Sequence, residues 1–334
     1  MSSVSVVVID CPVDAPGPLM RVAGMSVAAR LAKENLREGH EVVVRCSAEQ
    51  FEALNLPDVA HLGLGEALPN ESRVVSASEL LGIELVDDAS RRKAEWAVLQ
   101  TCRRPYDGLA DRYWLRSISL RISRFLCHFG TTPNNVTFVS ILCGFTACLA
   151  LALHGSERWA LSLAGATIFA AVILDSVDGE LARVRHMGSK LGMWLDNVSD
   201  DVIDTSIVAC MGIAIGGIWL PLALAATAMR AFAAGVTYHG AAKLGSPGDV
   251  MAFRWWFESE QDTEEVYENP FTPMLFLRSF GRRDMYICVF AISFALGQPL
   301  PALLLAMGNA VGHFALAVLH VFLHTSTPRK GDSQ

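Results

Sequence analysis

Over the first hundred residues, short apolar runs alternate with polar, helix-forming stretches. SVSVVVID predicts a buried strand, a Pro/Gly loop follows, Val22 to Glu38 predicts a helix stopped by Gly39, and HEVVVRC predicts a second strand. That order is a βαβ unit. SRVVSA predicts a third strand and Ile83 to Val86 a short fourth, which together describe a small three-layer α/β domain. DDASRRKAEWAVLQTCRR predicts a connecting helix with Asp88 or Ser90 as N-cap, broken at Arg103, Arg104 and Pro105. The next stretch sets Trp114, Leu115, Ile118, Leu120, Ile122 and Phe125 among Arg112, Arg116, Arg121 and Arg124. This is the pattern of a helix lying in a membrane interface, or of a soluble amphipathic helix packed on the N-terminal domain.

Beyond residue 130 the pattern changes to long apolar segments, near residues 136–154, 159–182, 193–218, 220–240, 284–297 and 299–323. Thr132 suits an N-cap and Pro133 a first turn at the entry to the first of them. The fifth is shorter than the ~20 residues that a spanning helix needs, so its polar start extends it. Gly, Ala and Ser are abundant in the second to fourth, which favours close helix packing. The fold class expected is an all-α polytopic membrane bundle of six transmembrane helices with a juxtamembrane amphipathic helix, preceded by a small soluble α/β domain. The domains expected are 1–101 and 102–334.

Composition agrees with a membrane protein: 52% hydrophobic residues and 18% charged, with a mean hydropathy of +0.35. A net charge of -7 gives no nucleic-acid signal. The eight cysteines show neither CxxC nor zinc-finger spacing and read as reduced core thiols. The opening apolar run, Val4 to Ile9, is too short for a signal peptide and has no basic residues before it. Arg183, Arg185 and Lys190, the basic residues of 241–283, and Arg329 and Lys330 all fall on one side of the six-span topology. The positive-inside rule then makes both termini cytoplasmic.

The chemistry concentrates in DSVDGELARVRHMGSKLGMWLDNVSD, residues 175–200. Asp175 and Asp178 are three apart and Asp196 and Asp200 four apart, so on helices each pair shares a face. Carboxylates at membrane depth cost several kcal/mol each unless paired, hydrated or metal-bound, which makes them functional candidates. Four hard oxygen ligands suit Mg²⁺ or Mn²⁺, and a pair of ions of the kind that clamps a phosphoryl group. Gly179 and Gly192 permit close approach of a ligand, Ala182 keeps the surface low, and Arg183 holds a diphosphate or pairs with a carboxylate.

The pattern Asp175-x2-Asp178-Gly179-x2-Ala182-Arg183-x8-Gly192-x3-Asp196-x3-Asp200 resembles the complete signature of the CDP-alcohol phosphotransferase family. The resemblance implies an integral membrane enzyme, bacterial or archaeal, with its active site facing the cytoplasm. Such an enzyme moves a substituted phosphoryl group from a CDP-alcohol to an acceptor hydroxyl and releases CMP. It implies Asp175, Asp178, Asp196 and Asp200 at a site of two Mg²⁺ or Mn²⁺ ions, with Asp200 the general base, and a homodimer. Nucleotide contacts carried over are Asn134, Thr137, Asp178, Gly179, Ala182, Arg183 and Gly192. For Asn134 and Thr137, in the TPNxxT stretch, a purely structural role at the helix start serves as well.

Three arginines, Arg278, Arg282 and Arg283, converge before the fifth segment. Either they hold an acceptor phosphate, as basic residues do in family members that use phosphorylated acceptors, or they set topology. Lys190 and His186 in the short loop carry the same two readings. His313, His320 and His324 read as packing or interfacial residues, and the acidic run ESEQDTEE as a solvated face.

The run VAGMSVAARLAKENLREGHEVVV resembles part of the nucleotidyltransferase domains fused to some family members in inositol phosphodiester synthesis. Pro12, Pro16 and Pro18 stand where a Gly-rich phosphate loop would follow the first strand, so the domain is expected to be degenerate and without nucleotide transfer. The acceptor implied is inositol or inositol phosphate, and the donor is CDP-diacylglycerol or CDP-inositol. A transporter or a catalytically silent membrane scaffold are the alternative readings of the chain. The acids lie near helix ends instead of the midplane and no inverted repeat is visible, against a transporter; the complete signature speaks against a scaffold.

Overall fold

A computed structural model describes residues 6–12, 17–69, 72–104, 107–245, 253, 255 and 280–326, with side chains given as far as residue 323. The apolar run Val6–Asp10 is strand β1, with Val7, Val8 and Ile9 buried. Arg21–Val22 (β2) and Met25–Ser26 (β3) form an antiparallel hairpin ahead of helix α1, Val27–Arg37. The predicted helix therefore starts five residues late, because Ala23 and Gly24 turn the chain at φ +49° and +79°. Strand β4 (Glu41–Arg45) and helix α2 (Ala48–Leu54) follow, and a capping box between Ser47 and Gln50 starts α2. Strands β5 (Ala60–Leu62) and β6 (Arg73–Ser76) complete a four-stranded parallel sheet of order β5-β4-β1-β6.

The fourth strand of that sheet is β5, not the segment at Ile83. Residues Glu79–Leu80 (β7) and Ile83–Glu84 (β8) form a separate hairpin. Helix α3 (Asp88–Gln100) is capped by Asp87, one residue before the expected Asp88, and Ser90 is its reciprocal partner: Ser90 N donates to Asp87 Oδ1 at 2.7 Å. Ile9, Cys11, Ala28, Ala32, Val42, Val44 and Cys46 form the core between sheet and helix. All eight cysteines are free and six are buried. Burial pushes the Cys11 thiol up to about 12.

The chain divides into two units. The first comprises residues 1–103 with two later segments, 120–132 and 179–187; the second comprises 104–119, 133–178 and 188–334. A π-helical turn at Asp111–Leu115 leads into α4 (Arg116–Cys127), and four long helices follow: α5 (Pro133–His154), α6 (Arg158–Val184), α7 (Lys190–Ile215) and α8 (Trp219–Lys243). Helices α9 (Arg283–Ala295) and α10 (Pro299–Ser326) end the described chain.

Among the described residues, four helices, α5, α6, α8 and α10, are long and apolar enough to cross a membrane. α7 is long enough but carries Asp196, Asp200, Asp201 and Asp204. The 13 residues of α9 reach only about 20 Å against a ~30 Å hydrocarbon core. α5 exposes Phe138, Leu142, Phe145, Leu149 and Leu153, an apolar surface suited to lipid. His320 packs its ring 4.9 Å from that of Phe253. Arg278, the acidic run at 258–265, Arg329, Lys330 and the His324 side chain lie outside what is described.

Candidate active site

Helical spacing brings the acids of α6 and α7 together. Asp175, Asp178 and Asp196 each offer a carboxylate oxygen, and these oxygens all lie within 4.8 Å of one another. Asp178 is buried and accepts a hydrogen bond from Thr137 Oγ1 at 2.5 Å, so the first turn of α5 holds this carboxylate in place. The same Oγ1 lies 3.2 Å from Pro133 O, so the single hydroxyl proton goes to the nearer carboxylate. Ser189 caps α7 by accepting from Gly192 N at 3.0 Å. A Cβ on Gly192 would stand 3.1 Å from Asn134 Oδ1, so the starts of α5 and α7 meet at a glycine. Asn134 and Lys190 are exposed.

Asp200 meets a cation. Arg283, the first residue of α9, sets Nη1 2.5 Å from Asp200 Oδ2 and 3.1 Å from Asp175 Oδ2, and Nε 3.3 Å from Asp204 Oδ2. A second layer supports this pair: Arg230 Nη2 donates to Asp204 Oδ2 at 3.1 Å and to Tyr286 Oη at 2.8 Å, and Tyr286 Oη itself donates to Asp204. Tyr238 donates to Asp201 Oδ2 at 2.8 Å. Sequence reasoning passed over Asp204, Arg230, Tyr238 and Tyr286. Two signals were available: Asp204 extends the four-residue spacing of Asp196 and Asp200, and a lone arginine inside an apolar segment demands a partner.

A cavity of about 220 Å³ opens beside Asp175, lined by Asp111, Ser176, Arg282, Arg283 and Asp284. Asp284 anchors its rim: Oδ2 accepts from Ala110 N at 3.1 Å and from Asp111 N at 3.3 Å, and Oδ1 lies 3.4 Å from Arg282 Nε. Burial first, and the neighbouring Asp284 charge second, push the Asp111 carboxyl up to about 7. Nearby, Arg116 grips Asp107 through two hydrogen bonds of 3.0 Å. Burial alone would raise Asp107, but this pairing together with the hydrogen bond from Arg104 N at 3.0 Å outweighs it and holds the carboxyl below its ordinary value.

The residues after Asp178 on α6 belong to the first unit. There Arg183 folds back along the helix, its Nη1 3.1 Å from where a Cβ on Gly179 would stand. Ala182 accepts a backbone hydrogen bond from Met187 N at 2.9 Å, which closes the helix end.

The family model for CDP-alcohol phosphatidyltransferases matches residues 130–296, half of the chain. Similar proteins include a bifunctional IPC transferase and DIPP synthase of Thermococcus kodakarensis, 37% identical over 108 residues, which are 32% of this chain and 23% of that protein. An archaetidylinositol phosphate synthase of Pyrococcus horikoshii is 36% identical over 98 residues, 29% of this chain and 48% of that one. A phosphatidylinositol phosphate synthase of Corynebacterium glutamicum is 34% identical over 102 residues, 30% of this chain and 44% of that one. The matched region spans less than half the length of each of these relatives.

Proposed function

The chain belongs to the CDP-alcohol phosphatidyltransferase family, and from that membership we propose that it transfers a substituted phosphoryl group from a CDP-alcohol to an acceptor alcohol, releasing CMP. The observation that carries this reading is the convergence of three carboxylates, Asp175, Asp178 and Asp196, within 4.8 Å. Oxygen-only donors at this separation fit hard divalent cations, so these three are the residues to hold Mg²⁺ or Mn²⁺, two ions in all, with Asp200 beside them. When bound, such ions neutralise the diphosphate of the donor and polarise its phosphorus.

The chain's own groups do the rest. Asp200 accepts the proton of the acceptor hydroxyl as that oxygen bonds to the β-phosphorus and the bond from this phosphorus to the CMP oxygen breaks. Arg283 aligns the Asp200 carboxylate while it also contacts Asp175. Thr137 orients Asp178. Asn134, Gly179, Ala182, Arg183 and Gly192 are the remaining candidates for nucleotide contacts.

Arg282 and Arg283 bring two guanidinium groups to the cavity beside Asp175, which supports a phosphorylated acceptor; Lys190 and Arg278 are further candidates. The names of the Pyrococcus and Corynebacterium relatives point to inositol phosphate as that acceptor. Around this site the chain forms six membrane spans in an integral membrane protein, its active site and both termini on the cytoplasmic side. The protein works as a homodimer. The N-terminal α/β domain carries no nucleotidyl transfer of its own.

The test is CMP release by purified, detergent-solubilised protein with Mg²⁺ or Mn²⁺. CDP-diacylglycerol and CDP-inositol are each paired with inositol, inositol phosphate and glycerol phosphate. Release that needs the metal, one donor and one acceptor establishes the reaction and names both substrates. No release from any pair, with metal bound, refutes it. Near-normal turnover of Asp200→Asn would remove Asp200 as the base.

A further inference from the structure

The first unit holds a cavity of about 190 Å³ with a largely apolar wall that includes Leu80 and Leu81 of the β7–β8 hairpin and Val98, and with Arg30 and Glu34 of α1 and Arg183 and His186 at the end of α6 as its charged and titratable lining. Arg30 is 2% exposed. Its Nη1 donates to Val184 O at 2.6 Å and its Nη2 to Val22 O at 3.0 Å, which neutralises the negative end of α6, while Nε has no hydrogen-bond partner among the described residues. The side chain of His186 is only 9% exposed, and neither of its ring nitrogens has a hydrogen-bond partner there; Glu34 Oε1 stands 3.7 Å from Nε2.

The backbone at His186 is unusual for its residue type. α6 ends in a Schellman motif, with Met187 N bonded to Ala182 O at 2.9 Å and His186 N to Arg183 O at 3.3 Å. The residue at the left-handed position of that motif is normally glycine, but here it is His186 at φ +51°. A side chain there brings Cβ too close to the following carbonyl oxygen, a contact that glycine avoids. The strained position delivers an imidazole to the cavity, and buried polar groups without partners are costly unless a ligand or water meets them.

We propose that this cavity binds a small anion bearing a protonated phosphate group, held by Arg30, Arg183 and His186, with Glu34 accepting its hydroxyl. Two guanidinium groups and an imidazole supply donors for the phosphate oxygens. Glu34 is what selects the anion. A carboxylate repels a fully ionised oxyanion but accepts a hydrogen bond from a P–OH, so inorganic phosphate, which keeps a P–OH at pH 7, fits where sulfate does not, and a phosphomonoester fits in its singly ionised form, favoured below its second pKa of about 6. A volume of about 190 Å³ suits a small anion. Bound there, it ties α1 to the end of α6 within the same unit.

The test is thermal unfolding of the full-length, detergent-solubilised protein with inorganic phosphate, glycerol phosphate, sulfate or CMP, against chloride at matched ionic strength and pH 7. Binding read this way is independent of CMP release by the enzyme. The expected result is a saturable rise in Tm with phosphate, absent with sulfate and abolished in His186→Asn, a residue that tolerates the left-handed backbone. A rise with phosphate alone identifies the free anion as ligand; a rise with glycerol phosphate as well identifies an ester. Glu34→Gln is expected to narrow the gap between phosphate and sulfate. Equal shifts with sulfate and phosphate, an undiminished phosphate shift in His186→Asn, or a His186-dependent shift with CMP only would each overturn the proposal.

Discussion

The hydroxyl of Thr137, in the first turn of α5, donates to Asp178 Oδ2 at 2.5 Å, and both residues are buried. The bond orients the Asp178 carboxylate. Groups that orient metal ligands in this way are typically worth 10–100-fold in metal affinity or activity. Thr137→Val is therefore expected to weaken Mn²⁺ binding by about that factor, measured by titration of the solubilised protein, and Thr137→Ser to retain most of it. Equal binding by all three proteins would assign Thr137 a role in capping alone.

Arg283 contacts Asp200, Asp175 and Asp204 at once. Removing a partner from a buried ion pair costs about 3–5 kcal/mol because the remaining charge is uncompensated. In Arg283→Gln the carboxylates lose this neutralisation, so a divalent cation becomes a larger share of the stability. The Tm of the variant is expected to fall in EDTA and recover with Mg²⁺ or Mn²⁺ by more than that of the parent. Identical metal responses would show that Arg283 and the cation do not share these carboxylates.

Arg230, Asp204 and Tyr286 form a polar group among apolar helices, joined to Arg283 through Asp204. Arg230→Met leaves Asp204 with a poorer set of partners, and a loss of about 3–5 kcal/mol is expected in denaturant unfolding. Combined with Asp204→Leu, part of that loss should return, since both charges of the pair are gone while Arg283 keeps Asp200 and Asp175 as partners. Strictly additive losses in the double variant would mean that the two residues act separately.

Two neighbouring acids pull stability in opposite directions with pH. Asp107 has its folded pKa below the unfolded value, so its contribution is present above an ordinary Asp pKa of ~3.9 and is lost as pH falls through the folded pKa. Asp111, raised to about 7, does the reverse: its contribution is intact below the unfolded pKa and disappears as pH rises to about 7. Asp107→Asn should flatten the acid limb of the Tm–pH profile, and Asp111→Asn the limb between about pH 4 and 7. A profile unchanged by Asp111→Asn would contradict its raised pKa.

The acids on α6 and α7 could be read from the chain because helical spacing decides which positions share a face, and carboxylates in apolar segments are rare enough to stand out. Their long-range partners could not: nothing local links Arg230 to Asp204 or Arg283 to Asp200, which helix packing brings together. Strand β5 escaped notice because Ala60–Leu62 has only three residues, too few for alternation to register. The premature start given to α1 has a backbone cause, since Val22 to Ser26 reads as apolar and helical while Ala23 and Gly24 take positive φ.

The contact between Arg30 and the Val184 carbonyl is 154 residues long in sequence. The N-terminal unit is thus not a detachable cassette. A gene truncated at residue 103 would omit segments 120–132 and 179–187, and would leave a buried guanidinium without one of its acceptors. During synthesis at ~5–20 residues per second, this unit can close only after the end of α6 has emerged from the ribosome, long after its own sheet has been translated. Exchanging the first hundred residues for those of another protein would remove the donor to the Val184 carbonyl and leave the end of α6 without this contact.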